Sequence, residues 1–510
     1  MNTRDGKSKS PWEKAVPFVE EKEAELPKKY NVLIVGAGIT GVTTALMLQN
    51  QGLDCLLIDT SNVGAGTTGG TSAHINTFLD ATYPEIERDF SEDAASLVAK
   101  ATKEAISIIK NHISDLKIDA DFEEKKAYLY AEDEKQQKQL NEIYEASKRA
   151  NVSVTQVGKD APLPMAFLSA LMFDGEAQFH PIKYISGLLK EFLQKGGDVL
   201  EHTAFKSSKM ENECHLVQLG DLEIFAEHLV YATHIPPGIN LFNFSCAPYR
   251  SYVVGAELKT DKYPDSLWYD MQEPYHYWRT HVIDGKKILL VGGEDHKTGQ
   301  GSPAEALQNL RDYVGQYVEV DQFSFEWSSQ YYIPVDGLPY IGKMPMADEN
   351  TWVATGFNGN GMIWGTISAK MISDLITGQP NDYEDLLSPS RIKPIAGFKE
   401  FVTENANVAW HFVADRFTAE QLNTVDALAP NEGVVVDSTS GKVAVSKSAN
   451  GHIKAISAVC THAGCIVKFN KLEQSWDCPC HGGRYDIDGK VITGPPVRNL
   501  KKVDWSALKS

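Results

Sequence analysis

Residues 29–35, KYNVLIV, are a β-rich apolar run that ends at Gly36 and predict a strand. The stretch GAGITGVTTALMLQNQG predicts a turn and then an amphipathic helix closed by Gly52. DCLLIDT predicts the next buried strand, so residues 30–60 form one βαβ unit. From Pro84 to Ile113, Ile86, Phe90, Leu97, Val98, Ala101, Ala105, Ile108 and Ile109 recur at helical spacing. AYLYAE predicts a strand, EDEKQQKQLNEIYEASKRA a charged helix, and 180–196 a further helix stopped by two glycines. HLVYATH at 228–234 predicts a buried strand, and 247–331 is mostly strand-like and aromatic. WVATGFNGNG runs from a strand into a glycine turn, with MIWGTISAKMISDLITG as the helix behind it. The texture changes after Arg391: FKEFVTENANVAWHFVADRFTAEQ predicts a helical linker, 392–425. From Gly433 onward short strands alternate with turn signals, predicting a small all-β domain within 426–510.

The length of 510 residues suits two to four domains. No apolar run approaches the roughly 18 residues needed to span a bilayer. The polar start, 1–28, has no apolar segment of the kind that opens a secretory signal and reads as a surface tail. A formal net charge of −19 argues against nucleic acid as a partner, since phosphate contacts need clustered Lys and Arg. Cys55, Cys214 and Cys246 are scattered, as expected of thiols in a cytoplasmic protein.

Gly36, Gly38 and Gly41 make G-x-G-x-x-G between strand and helix. The first allows the tight turn, the second the approach of a pyrophosphate, and the third close helix–strand packing. The helix N-terminus then offers free N–H groups to phosphate. Asp59 closes the second strand 18 residues past Gly41, where an acid holds a ribose hydroxyl.

The remaining four cysteines fall in two boxes, CTHAGC at 460–465 and CPCHGG at 478–483. Structural zinc favours paired cysteines or paired histidines. Here Cys460-x-His462 and Cys478-x-x-His481, with fifteen residues between them, each give one Cys and one His. That is the arrangement of a Rieske [2Fe–2S] cluster, two cysteines on one iron and two histidines on the other.

From about residue 10 to 505 the chain resembles bacterial FAD-dependent oxidoreductases of the glycine oxidase and D-amino-acid oxidase superfamily fused to a C-terminal Rieske domain. The resemblance rests on SPW, GTTGGTSAH, FHPIKY, PYHYWR, VGGEDHKTGQ, PVDGLPYIG and GFNGNGMIWGT in that order, together with the two boxes. It implies an α/β Rossmann-type FAD-binding domain (29–115, 175–235, 330–391) with a mixed-sheet substrate domain (116–174, 236–329), and a small all-β Rieske domain. Thr67 and Thr68 fall at its second FAD contact, and Gly356 and Gly361 at its C-terminal flavin box. It implies a Cys465–Cys480 disulfide, a Tyr485 hydroxyl on a ligand sulfur, and GPP at 494–496 as the loop over the cluster. A serine common in this family is replaced by Gly483, and fewer donors to the sulfurs lower the potential. No second G-x-G-x-x-G follows a strand, which disfavours a separate NADH site.

Flavin takes two electrons at once and a Rieske cluster passes one, so the fusion suggests a converter from small-molecule substrate to external acceptor. The resemblance implies oxidation of a C–N bond in an amine or amino acid. The alternatives are an O₂-using oxidase with the cluster as a redox sensor, and an electron carrier without a substrate of its own. Relatives hold a substrate carboxylate with an arginine where Tyr331 stands; Arg279 or Arg250 are the substitutes on neighbouring strands. Gly70 occupies the position of a flavin-linking histidine, so FAD is expected to be non-covalent, with His74 the exception. Tyr252, Tyr275, His276, Tyr277, Arg279 and Trp364 are the pocket candidates. Glu294, Asp295 and His296 line the pocket or only make a turn, and His180 starts its helix.

Overall fold

The structure is a computed structural model and describes residues 7–15, 28–159, 161–391, 404, 406–408, 410–411, 422–438 and 441–508. The expected linker at 392–425 lies mostly outside these residues.

Strand Lys29–Val35 runs parallel between Leu222–Tyr231 and Cys55–Ile58. Asp198–Leu200 and Thr351–Thr355 extend the sheet in parallel, and Tyr340–Lys343 closes one edge antiparallel. Short, wholly apolar strands such as Cys55–Ile58 fit this sheet because it is covered on both faces. The helix predicted after the glycine turn is Ile39–Asn50, but it is not amphipathic: nine of its twelve residues are buried. Helices Pro181–Gln194 and Gly361–Ile376 pack on the sides that a surface helix would expose. The helical run from Pro84 divides into Tyr83–Asp89 and Glu92–Asp115. Ser91 breaks it, because its side chain accepts from the Ala94 N–H and caps the second helix.

A second sheet of nine strands is antiparallel except where Leu267–Tyr269 meets Glu123–Ala131. Its outer pair, Cys246–Leu258 and Val320–Pro334, places Tyr249 opposite Tyr331 and Arg250 opposite Gln330. Pro11–Ala15 corrects the reading of 1–28 as a surface tail. Trp12 is fully buried, donates its indole N–H to the Thr71 carbonyl at 2.7 Å, and packs edge-on against His180 and His281. A large aromatic ring gains most by burial, and this one fills the seam behind the 64–75 loop.

The C-terminal domain is a three-stranded sheet (Glu432–Ser438, Gly441–Lys447, Ile453–Ser457) beside a four-stranded one (Lys468–Asn470, Ser475–Asp477, Arg484–Asp486, Val491–Thr493). It is docked on the outer strand pair of the nine-stranded sheet. Two glycines permit that approach. A Cβ on Gly482 would lie 2.5 Å from Pro248, and one on Gly299 would lie 2.9 Å from the Pro479 nitrogen. Glu473, fully buried, accepts from the Lys7 N–H at 2.7 Å and the Ser328 hydroxyl at 2.5 Å, with the Arg250 guanidinium 3.8 Å away.

Candidate functional site

At Gly36 and Gly41 the glycine turn packs against backbone. A Cβ on Gly36 would meet the Ala232 carbonyl oxygen at 2.4 Å, and one on Gly41 would meet the Gly36 oxygen at 1.8 Å. Gly36 also has φ +106°, which favours glycine. At Gly38 a Cβ would lie 2.8 Å from the Thr68 hydroxyl, which itself accepts from the Ile39 N–H at 3.0 Å. The Asp59 carboxylate accepts from the N–H groups of Ala37 (2.8 Å) and Ser61 (2.9 Å), so it sits beside the turn with lone pairs to spare.

A cavity of about 650 Å³ opens from this helix N-terminus. Gly38, Ile39 and Thr40 line one end, Thr67 and Thr68 the floor, and Gly361 and Met362, at the start of helix Gly361–Ile376, another wall. Two helix N-termini therefore face one space, an arrangement that favours negative charge. Its volume suits a cofactor or substrate site. Phe78, Tyr269, Tyr275, Tyr277, Tyr331 and Phe357 supply aromatic walls, with Asp80 and Asp295 among them. The Tyr331 hydroxyl donates to Asp295 Oδ2 at 2.7 Å, and the Gly359 N–H to Asp80 Oδ2 at 2.7 Å. Burial pushes Asp295 up to about 7, while Asp80 is open to the cavity. His74 also lines the cavity, and burial pushes it down to about 3, so it is neutral.

The two cysteine boxes lie at the domain contact. Cys465 and Cys480 are disulfide-bonded, with Cα atoms 6.5 Å apart. They lie close to Cys478, but as a disulfide they have no thiolate to give a metal. Cys460, Cys478, His462 and His481 remain as donors. The Cys460 thiol is pulled down to about 7. A hydrogen bond with Cys478 contributes most, with the Tyr485 hydroxyl at 3.2 Å and the N–H groups of His462 and Ala463 adding to it against burial. The two imidazoles meet edge to face at 4.9 Å. His462 Nε2 donates to the Gly238 carbonyl and to Asn243 Oδ1, each at 3.2 Å. Both partners are oxygen acceptors, so Nε2 carries the proton and Nδ1 keeps its lone pair. His462 Nδ1 and both nitrogens of His481 are buried without a hydrogen-bond partner. Two imidazoles, each with an orphaned nitrogen, beside two adjacent thiols fit a cluster ligated by two Cys and two His.

Strand Val320–Pro334 separates the cavity from these boxes, and its alternation serves both. Ser329 and Tyr331 line the cavity, and Gln330 borders it as well, its carbonyl meeting the Thr67 hydroxyl. Ser328, Gln330 and Tyr332 face the C-terminal domain. Ser328 donates to Glu473, the Gln330 amide donates to the Gly482 carbonyl at 3.0 Å, and the Tyr332 hydroxyl to the His481 carbonyl at 3.4 Å. On the cavity side, the Thr67 hydroxyl meets the Gln330 carbonyl and His234 Nδ1, both at 3.2 Å, and His234 packs edge-on against Tyr332 at 4.9 Å.

A model of the family described as FAD dependent oxidoreductase matches residues 31–375. The chain belongs to that family. A Rieske [2Fe-2S] domain matches residues 420–504, so it is a flavin oxidoreductase carrying a Rieske domain, with FAD and a two-iron cluster as its cofactors. The protein YhfW of Bacillus subtilis (strain 168), named for a Rieske 2Fe-2S iron–sulfur centre, is 32% identical over 477 residues, 93% of each chain. Gamma-glutamylputrescine oxidoreductase of Escherichia coli (strain K12) is 21% identical over 378 residues, 69% of this chain and 85% of its own. Glycine oxidase from Geobacillus kaustophilus shares the fold, with a TM-score of 0.61 at 17% identity, over 72% of this chain and all of that one.

Within this family site, Tyr275 and Tyr277 line the cavity, whereas Tyr252, His276, Arg279 and Trp364 are not among its lining residues. Tyr252 points its hydroxyl at His296 Nε2, 2.9 Å away. His276 is buried between Asp270 (2.8 Å) and the face of Tyr313. Arg279 is fully buried and donates to the carbonyls of Ser72 and Ala73, so it braces the 64–75 loop. Trp364 packs in the core on helix Gly361–Ile376. Arg250 faces Glu473 across the domain contact. Neither arginine therefore stands in for the carboxylate-binding one. Gly356, at φ +75°, shapes the turn before Phe357 and is likewise outside the lining, while Gly361 is within it. His180 caps its helix by accepting from the Lys183 N–H. Asp80, Gln330, Tyr332 and Glu473 were not singled out from the sequence. The period-two pattern of 328–332 was the available signal, because it assigns alternate residues to opposite faces.

Proposed function

We propose that this chain is a dehydrogenase acting on the C–N bond of a small amine or amino acid. It removes a hydride and a proton to leave an imine, and releases the two electrons singly to an external one-electron acceptor. FAD, held non-covalently along Gly38, Thr67, Thr68 and Gly361, with Gly36, Gly41, Asp59 and Gly356 shaping the turns around it, supplies a two-electron acceptor, and a cluster on Cys460, His462, Cys478 and His481 supplies a one-electron carrier. The observation that carries this reading is strand Val320–Pro334. Its residues 329 to 331 border the cavity, while the side chains of 330 and 332 bond to the loop of the cluster-box histidine His481, so Gln330 touches both. One strand thus separates the two sites, with Thr67, His234 and Tyr332 in contact across it.

The residues have distinct tasks. Tyr275, Tyr277 and Tyr331 enclose the substrate and exclude water. Asp295, pushed up towards neutrality by burial, is placed to take a proton from an ammonium group. His74, whose Nδ1 is 3.0 Å from the Ser72 hydroxyl, packs against Tyr269 and Tyr277 and orients that wall. The names of relatives, gamma-glutamylputrescine oxidoreductase and glycine oxidase, also point to nitrogen compounds.

The test is an anaerobic screen of amines and amino acids for flavin bleaching, followed by electron paramagnetic resonance of the cluster. Bleaching followed by a Rieske signal is the expected result. A flavin fully reduced by substrate beside a cluster that stays oxidised overturns the relay. Absence of bleaching by any amine or amino acid overturns the dehydrogenase reading.

A further inference from the structure

The charges around the cavity are one-sided. Among the described residues, its lining holds six carboxylates (Asp80, Glu85, Glu142, Asp270, Glu273 and Asp295) and a single guanidinium, Arg88. Arg88 is already paired with Asp89, Nε and Nη2 each 2.7 Å from a carboxylate oxygen. No lysine is among the described lining residues. His276, the histidine nearest Asp295 in charge contact, is committed to Asp270 and Glu294. Deep in the cavity, the Asp295 carboxylate holds the Tyr331 hydroxyl on Oδ2 and has the Ser251 hydroxyl as a further polar neighbour, while Oδ1 is buried without a well-formed hydrogen bond. Asp80 lies close enough to Asp295 for the two to repel. A buried carboxylate with an empty acceptor site and a like-charged neighbour lacks a counter-charge. Around it stand Tyr275, Tyr277, Tyr331 and Phe357, whose ring faces attract cations.

We infer that the cavity selects an organic cation, an amine bearing no carboxylate, and that Asp295, with Asp80 behind it, receives the ammonium group inside the aromatic wall. This rests on the reading of the cavity as the substrate site, and it narrows the substrate from amines and amino acids to amines alone. The argument is one of differential cost. An ammonium group fills the vacant acceptor site of Asp295 and cancels its charge. Beside Asp295 a carboxylate would meet like charge with no unpaired side-chain cation among the described lining residues, since the Tyr331 hydroxyl is held by Asp295 and Arg250 and Arg279 are committed elsewhere. The carboxylates at the cavity rim also raise the local concentration of a cation.

The probes are tert-butylammonium and pivalate, which share a shape, differ in charge, and have no hydrogen on the carbon that bears the charged group. Calorimetry and the perturbation of the flavin absorbance spectrum, on the purified holoprotein at pH 8, report binding without turnover. Tert-butylammonium should bind roughly tenfold or more tighter than pivalate. Asp295→Asn, which keeps the shape of the side chain, should weaken the ammonium by a similar factor and leave tert-butanol binding unchanged. Tyr331→Arg should reverse the preference. Equal or tighter binding of pivalate by the wild type overturns the inference, as does an Asp295→Asn variant that binds tert-butylammonium normally. Because neither probe is oxidised, the result is independent of the relay. Flavin bleaching by amino acids with no ammonium binding would sink this inference alone, and ammonium binding with no bleaching by any amine would sink only the dehydrogenase reading.

Discussion

Replacing Glu473 by Ala should release the Rieske domain from the flavin domain. Glu473 belongs to the turn between Lys468–Asn470 and Ser475–Asp477, yet its carboxylate bonds to Lys7, Ser8 and Ser328 and faces Arg250, all outside that domain. Arg250 and Glu473 are both fully buried. Removing one partner of a buried pair costs about 3–5 kcal/mol, because the other charge stays in a medium that does not solvate it. The lower end applies here, since Asp477 also attracts the Arg250 guanidinium. About 3 kcal/mol raises the undocked population roughly 150-fold. Limited proteolysis, scored by mass for cuts between the two domains, measures that population, and an intact Rieske spectrum shows that the domain itself stays folded. Reduction of the cluster after the flavin should slow in parallel. Arg250→Met combined with Glu473→Ala removes both charges and should recover most of the docking, since a buried pair replaced by apolar groups is often neutral. A single Glu473→Ala variant as protease-resistant as the wild type, or a double variant worse than either single one, would refute the reasoning.

Three further outcomes are expected. Glu176 is fully buried and burial raises it to about 8 from an ordinary 4.5, so between those values the folded protein holds a proton that the unfolded chain has released and stability falls as pH rises; Glu176→Gln, which mimics the protonated acid against Thr77, should raise the melting temperature relative to the wild type at pH 8.5 and not at pH 4, checked by calorimetry. Gly38→Val puts its Cβ 2.8 Å from the Thr68 hydroxyl and fills the approach to the phosphates, so the protein should purify colourless at the flavin bands with the Rieske spectrum retained; a folded, fully yellow variant would place FAD elsewhere. Gly483→Ser puts its Cβ 2.7 Å from Pro496, so only when combined with Pro496→Ala should the new hydroxyl reach the cluster and raise its potential, read by a redox titration of the paramagnetic signal.

What was legible in the sequence is what depends on near neighbours in the chain. The strand–glycine turn–helix at 29–50 and the two cysteine boxes carry their chemistry within a few residues, so spacing alone specified the chemistry. The misreadings share one cause, contact with segments distant in sequence. Ile39–Asn50 looked like a surface helix because nothing local announces that two later helices cover it. Trp12 sits in a polar stretch, and its burial depends on Thr71, His180 and His281. His276 and Arg279 have the composition of catalytic residues, but period two along Tyr277–Ile283 does not say which face of the sheet meets the cavity. Pairing partners decide that, and Arg279 is turned to the carbonyls of the 64–75 loop.

The same periodicity explains why substrate chemistry and cluster docking are linked in this chain. Along 328–332 the side chains of Ser328, Gln330 and Tyr332 grip the Rieske domain, while Ser329, Tyr331 and the Gln330 carbonyl border the cavity. A slip of one residue in the pairing of Val320–Pro334 with Cys246–Leu258 would turn Gln330 and Tyr332 into the cavity and set Tyr331 against the cluster loop. Both sites would fail together, whereas a side-chain change at a single position alters only one. The register is held from both sides: Tyr331 through Asp295, Ser328 through Glu473, and Gln330 through Thr298 and Gly482. His462 adds a third point of attachment, through Gly238 and Asn243, next to the strand that begins at Cys246. A cluster domain fixed at three such points keeps a constant separation from the cavity. On the proposed relay, both electrons from one substrate would cross the same wall, so the second would leave the flavin only after the cluster had passed the first to its acceptor.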